Sequence, residues 1–199
     1  MIKCIRDSYY KEAKRRGLRS RAAFKLLEIS RKFSIIKKGD IVLDLGAAPG
    51  GWLQIARMLT GENGKVIGVD ISPIKPLPYS NVFIIRKDVR DPSLIDDIRK
   101  ISGGEVDVIL SDLAPKFSGF HHLDHFRQIS LVKYTISIAN SLLKKHGNMV
   151  IKIIMGSEVN KLIKEISNNF NYVKLYKPKA SRKHSSEIYL ICKEWKEKS

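Results

Sequence analysis

The sequence predicts an α/β fold: a seven-stranded sheet, mostly parallel with one antiparallel strand toward an edge, carrying helices on both faces. Three observations predict it. Short β-branched apolar runs alternate along the chain with longer stretches whose apolar residues recur at three- and four-residue spacing. The first five runs are apolar almost throughout, as strands buried between two helix layers require. The last two are separated only by the polar stretch 177–186, too short for a crossover helix, so they are expected to pair as an antiparallel hairpin at the sheet edge.

Taken in order, a helix is expected over residues 19–32, where AAFKLLEI sets its apolar face. A strand over 41–45 (IVLDL) runs into a glycine-rich turn and a helix over 51–59. Strands over 65–70 (KVIGVD) and 82–85 follow, then a helix over 92–101 and a strand over 106–111 (VDVILS). The second half reads as a helix over 124–145, a strand over 148–154, a helix over 158–169, and strands over 172–176 and 187–192.

With 199 residues and 43% hydrophobic content the chain supports one full-sized core, so residues 1–199 are read as a single domain. A net charge of +17 exceeds what solubility needs and points to a polyanionic partner. Residues 1–40 carry 13 basic and 4 acidic side chains, and 172–199 carry 8 and 3, so the middle of the chain is close to balance. Two basic ends around a neutral core suit a small-molecule site flanked by phosphate-binding segments, although well-solvated termini would show the same tally. The candidates are Lys14, Arg15, Arg16, Arg19 and Arg21 at one end, and Lys179, Arg182 and Lys183 at the other, with Lys11 and Lys177 beside them. Only Cys4 and Cys192 are present, without a CxxC pair, so neither a disulfide framework nor a cysteine zinc site is indicated. An intracellular setting is expected: the cytoplasm or, in a eukaryote, the mitochondrion or another organelle. No run of about 18 apolar residues exists, and no membrane partner is expected. Asp7 and Glu12 argue against reading the arginine-rich start as a transit peptide.

The segment IVLDLGAAPGGW carries the first chemical signal. An apolar strand ends in Asp44 and runs into Gly46, Gly50 and Gly51 before a helix begins. Such a turn brings backbone close to a ligand at the carboxyl edge of a parallel sheet. The spacing is not GxGxxG, and Pro49 removes an N–H that a pyrophosphate would use, which favours S-adenosyl-L-methionine over a dinucleotide and disfavours a nicotinamide oxidoreductase. No GK[ST] follows, so a P-loop is excluded. A ligand-free turn remains the alternative for this segment alone, but Asp44, Asp70, Asp88 and Asp112 fall at successive strand ends. Asp70 stands where a carboxylate can accept from a ribose diol, and Asp88 where one could hold an adenine amino group. Taken singly, Asp88 would read as a helix N-cap.

Five blocks in this order, DSYYKEAKRRGLRSRAAFKLLEI, LDLGAAPGGW, SDLAPKFSG, VIKI and SRKHSSEIYLIC, resemble the FtsJ/RrmJ family of RNA ribose 2′-O-methyltransferases over nearly the whole chain. The resemblance implies a Rossmann-like seven-stranded methyltransferase sheet and adenosylmethionine-dependent methylation of a ribose 2′-hydroxyl. It also implies an RNA partner, and a monomer is expected. Large-subunit ribosomal RNA, either free or within the large ribosomal subunit, is preferred because the chain ends soon after the Glu187 block, as in bacterial-type members. Transfer RNA is the runner-up, and a noncatalytic RNA-binding protein that kept the fold is the alternative of another class. The family's Lys, Asp, Lys, Glu tetrad falls on Lys25, Asp112, Lys152 and Glu187. Its cofactor residues fall on Gly50, Trp52, Asp70, Asp88 and Asp112, with a slightly longer spacing from Asp70 to Asp88 than in the bacterial member.

Read from the residues themselves, Lys152 is the odd one, because it interrupts the apolar run MVIKIIM, where a lysine is costly unless paired or functional. Lys25 could instead be an exposed partner of Glu28, Glu187 a charge guarding an edge strand, and Asp112 a turn cap. A ribose hydroxyl must lose its proton as it attacks a sulfonium methyl, which calls for a base. A lysine titrates near about 10.4 and serves only when burial or a neighbouring cation brings it down. The expected assignment is Lys152 as base and Lys25 as that cation, orienting the ribose, with Asp112 and Glu187 holding the two ammonium groups. The cluster HHLDH at 121–125 has no standard zinc spacing, so no metal is expected, and it is read as part of a loop over the site in which Ser118 and Gly119 allow motion. Trp52 is open to two readings: a wall for the methionine part of the cofactor, or a core aromatic.

Overall fold

The computed structural model of the chain describes residues 8–116, 118–182 and 185–196. Its elements are α1 (Ser8–Arg15), α2 (Ala22–Phe33), β1 (Ile41–Leu45), α3 (Gly51–Thr60), β2 (Lys65–Asp70), β3 (Val82–Arg86), α4 (Leu94–Ser102), β4 (Val106–Ser111), α5 (His121–Leu142), β5 (Leu143–Ile154), α6 (Val159–Ser167), β6 (Phe170–Tyr176) and β7 (Glu187–Trp195). The strands form one seven-stranded sheet in the order β3-β2-β1-β4-β5-β7-β6. Strand β7 lies between β5 and β6 and is antiparallel to both, and every other pairing is parallel. The chain fills the sheet outward from β1 to β3, then returns to β4 on the other side of β1. Loops leaving the carboxyl ends of β1 and β4 therefore diverge, which opens a crevice at that edge.

The unalternated apolar runs follow from the two helix layers. Val42, Val66, Val108, Leu110, Val150, Tyr189 and Ile191 pack with residues of α2 and α3. Their strand neighbours Leu43, Ile67, Ile109, Ile151 and Leu190 pack with residues of α4, α5 and α6. Successive side chains point to opposite faces, so Lys152, two residues after Val150, belongs to the α2 side, as do Glu187 and Tyr189. Among the described residues no helix is long and apolar enough to cross a membrane.

Helix α1 is not among the expected elements, and several boundaries differ from expectation, three of them for identifiable reasons. The helix expected from residue 19 starts at Ala22, because the preceding residues are held against α3: Arg19 N–H donates to Gln54 Oε1 (2.8 Å), and Gln54 Nε2 donates to Gly17 O (3.0 Å). Helix α5 begins at His121, so 121–125 is helix rather than mobile loop. Asp124 fixes the incoming chain by accepting from Ser118 N–H (2.8 Å), Ser118 Oγ (2.8 Å) and Gly119 N–H (3.2 Å). At its other end α5 stops at Leu142, and Leu143 already pairs with Val106. The register then jumps to Val108 opposite Asn148, with His146 at φ 63° in between, so the regular ladder begins where the strand was expected.

Candidate active site

At the carboxyl edge, β1 leads into a turn that crosses very close to β4. Gly46 has φ 81°, and a Cβ there would lie 2.9 Å from the Leu113 backbone nitrogen, so both conformation and space demand glycine. Beyond the turn lies a cavity of about 810 Å3 lined by Gly46, Asp70, Ile71, Asp88, Asp112 and Leu113, among others. Asp70 accepts from Ala48 N–H (2.9 Å) and Ser72 N–H (2.8 Å), one bond to each oxygen, which leaves each oxygen a further acceptor site. Asp88 is bound bidentately by Arg90, at 2.9 Å from Nε and 2.6 Å from Nη2. These bonds hold its carboxyl at about 2.

Asp44 is fully buried, and neither of its carboxylate oxygens has a hydrogen-bond partner. Burial, reinforced by the charges of Asp112 and Asp70, pushes its carboxyl well above the usual range. A small ligand with a ribose diol, an ammonium group and apolar walls to satisfy fits this acid-rimmed crevice, as adenosylmethionine requires. Of the expected cofactor positions, Gly46, Asp70, Asp88 and Asp112 line the cavity, while Asp44, Gly50, Gly51 and Trp52 are not part of its lining. Trp52 is a core residue: its indole N–H donates to Ala22 O (2.8 Å), and its ring lies 5.8 Å from that of Tyr189. Gly50, at φ 106°, leaves room for the Arg19 side chain, and Gly51 for that of Ser20.

The four tetrad positions converge from α2, β5, β7 and the end of β4. Lys25 and Lys152 are only 8% and 5% exposed, so each ammonium needs a partner. Lys25 Nζ donates to Glu187 Oε2 (3.1 Å) and to Tyr189 Oη (3.3 Å). Tyr189 in turn donates to Asp112 Oδ1 (3.0 Å), and Lys152 Nζ donates to the Asp112 carbonyl (2.7 Å) with Oδ1 at 3.3 Å. The result is a continuous chain, Glu187, Lys25, Tyr189, Asp112, Lys152. Burial alone would raise Glu187, but the charges of Lys25 and Lys152 and hydrogen bonds from Lys25 and Ser185 hold it below its usual value. Burial, then the charges of Asp112 and Glu187, pushes the Tyr189 phenol well up, so it stays a donor.

Tyr189 is the residue that sequence reasoning missed. The available signal was its place two residues after Glu187, on the same strand face and opposite Lys152 in register. The alternative partnership of Lys25 with Glu28 is not formed. Glu28 instead accepts from Tyr176 Oη and from Lys179 N–H (3.1 and 3.0 Å), pinning the polar loop after β6 to α2. The bond to Glu28 pushes the Tyr176 phenol up to about 12.

A second cavity of about 560 Å3 opens beside the first, lined by Arg21, Lys25, Arg182, Ser185, Ser186 and Glu187 with Ala22 and Ile154. The polar chain joins the two, since Lys25 and Glu187 border one and Asp112 the other. Lys14, Arg15, Arg16, Lys179 and Arg182 are exposed, and Arg15 and Arg16 share Glu12. Arg19 is a correction to the expected phosphate contacts. Its guanidinium donates to Pro49 O (3.3 Å), Lys75 O and Pro76 O (2.8 Å), stapling the glycine-rich turn to the loop after β2. Lys183 lies outside the described residues. Within the cluster HHLDH, Asp124 caps the turn before α5, while His125 places Nδ1 3.2 Å from Ile154 O and receives Glu158 N–H at Nε2 (3.3 Å). The side chain of His121 also lies outside the description.

Comparison with known proteins shows the family and the fold. Residues 18–195 match the model of the FtsJ-like methyltransferase family. A protein of Methanothermobacter thermautotrophicus named ribosomal RNA large subunit methyltransferase E is 46% identical over 97% of this chain and 92% of its own length. One of the same name from Archaeoglobus fulgidus is 46% identical over 98% of this chain and 99% of its own. Among solved structures, a Plasmodium falciparum protein described as a ribosomal RNA methyltransferase superposes with a TM-score of 0.78 at 31% identity, covering 89% of this chain and 98% of that one.

Proposed function

The chain belongs to the FtsJ-like methyltransferase family, and from that premise we propose that it methylates a ribose 2′-hydroxyl of large-subunit ribosomal RNA, with S-adenosylmethionine as donor. One observation carries the reading: a chain of two buried lysines, a buried tyrosine and two partly exposed carboxylates joins an acid-rimmed crevice to a cavity bordered by arginines. The names of the archaeal relatives support the choice of RNA.

Asp70 and Asp88 would hold the nucleoside part of adenosylmethionine, and Asp112 would close the crevice toward the reaction. Bound there, the cofactor supplies an electrophilic methyl group. The neighbouring cavity receives the target nucleotide between Arg21 and Arg182, with its ribose at Lys25 and Glu187. Lys152 Nζ takes the proton of the 2′-hydroxyl as that oxygen attacks the methyl group. Its bond to the Asp112 carbonyl fixes its direction. Lys25, held by Glu187 and Tyr189, remains the cation that orients the ribose oxygen. Alignment of hydroxyl and methyl supplies much of the remaining rate. The basic residues of α1, with Lys179 and Arg182, hold the flanking phosphates.

The test offers methyl-labelled adenosylmethionine with undermethylated large ribosomal particles, and separately with transfer RNA, to the intact chain and to Lys152→Ala. Label is expected on a ribose of large-subunit RNA and is expected to fall by on the order of 10²–10⁴-fold in the variant, with cofactor affinity retained. Label on transfer RNA alone would change the substrate, and undiminished turnover by the variant would remove Lys152 as the base.

A further inference from the structure

The start of α5 presents an apolar surface that neither cavity uses. Phe120 is 73% exposed and Phe126 56%, and Leu123 between them and Met155 after β5 are exposed as well. Leu123 and Phe126, three apart on the helix, share a side, and Phe120, extended at the position just before the helix, adds a third exposed apolar side chain at the same end. The opposite face of the same turns is buried through Asp124, His125 and Gln128. Gln128 Nε2 donates to Leu113 O (3.2 Å) and Lys152 O (2.8 Å), which locks the helix start to the strand that carries the base. Met155 N–H donates to Ser186 O (3.0 Å), so this surface reaches the rim of the cavity that holds Lys25 and Glu187. On its other side, Arg127 donates to Lys116 O (3.2 Å), and both residues line the crevice. The patch thus lies between the two cavities and is bordered by cations.

From this placement, and resting on the RNA-methylation reading above, we infer that Phe120 and Phe126 are a stacking platform for unpaired bases next to the target ribose. Two chemistries must be matched at once. A second copy of this chain would bring another +17 against the first and is repelled. A single RNA strand brings negative charge for the cationic border and a π-face for each ring, and base on aromatic stacking needs no particular sequence. Bases within a duplex already have both faces covered, so the platform accepts only unpaired nucleotides.

The experiment measures binding of a short unpaired RNA, and of a duplex of the same composition, to the intact chain and to Phe120→Ala/Phe126→Ala across a salt series. Adenosylmethionine binding is followed in parallel as the control for folding. The double variant is expected to bind the unpaired RNA about tenfold or more weakly. The slope of log Kd against log salt should stay unchanged because no charge is removed, and the affinity for duplex should not move. Phe120→Tyr/Phe126→Tyr should recover the loss. Unchanged affinity for unpaired RNA, an equal loss on duplex, or a loss of self-association in place of RNA affinity would each overturn the platform while leaving the methyltransferase reading intact. Failure of the intact chain to bind any RNA would overturn that reading and the platform together.

Discussion

Tyr189 carries no charge, yet its hydroxyl connects the two lysine pairs of the site, accepting from Lys25 and donating to Asp112. Tyr189→Phe removes both bonds while keeping the ring against Trp52. Hydrogen bonds to charged groups are worth about 1.5–3 kcal/mol, so single-turnover methyl transfer should slow by about tenfold to a hundredfold, with cofactor affinity little changed. Asp44 gives a pH prediction. Its folded-state pKa is raised, so between its ordinary value and that raised value the folded chain binds more protons than the unfolded one. Stability contributed at this position therefore falls as pH rises through that window. Asp44→Asn removes the dependence. Its thermal midpoint should gain on that of the intact chain as pH goes from acid to neutral, and a constant difference would show that Asp44 is ionised in both states.

At the scale of elements, the β1–α3 turn and the entry to α5 show how local sequence and neighbours divide the work. The turn is legible from its glycines, because a positive φ is a property of the residue. What Gly46 avoids, the backbone of Leu113, belongs to a segment 67 positions away and cannot be read from the turn alone. Gly46→Ala should cost about 1–3 kcal/mol, lowering the midpoint of thermal unfolding by about 2–12 °C for a chain of this size. A smaller shift would mean that the chain leaving β4 yields. The entry to α5 misled because Ser118 and Gly119 look like a flexible joint, whereas Asp124 collects three hydrogen bonds from them and starts the helix. Arg19 misled in the same way: it reads as one more cation in a basic run but is consumed by three carbonyls.

For the whole molecule, the net charge of +17 governs affinity through counterion release. Arg15 and Arg16, exposed on and just after α1, lie away from both cavities. Arg15→Glu/Arg16→Glu should weaken RNA binding and reduce the steepness of its salt dependence, read as the slope of log Kd against log salt, while adenosylmethionine affinity stays the same. An unchanged slope would remove α1 from the interface. Sequence by itself determined the fold class, the seven strands and the placing of acids at successive strand ends. Those features depend on periodicity and on residues a few positions apart, so the order of side chains contains them. Only the tertiary structure decided which of these groups face a cavity, that Trp52 and Arg19 serve the scaffold, and that Tyr189 links the lysines. Each of those outcomes rests on a partner brought from a distant segment, as when Lys25 meets Glu187 across 162 positions. Burial and pairing at that range are set by how the sheet stacks, and no local pattern encodes them.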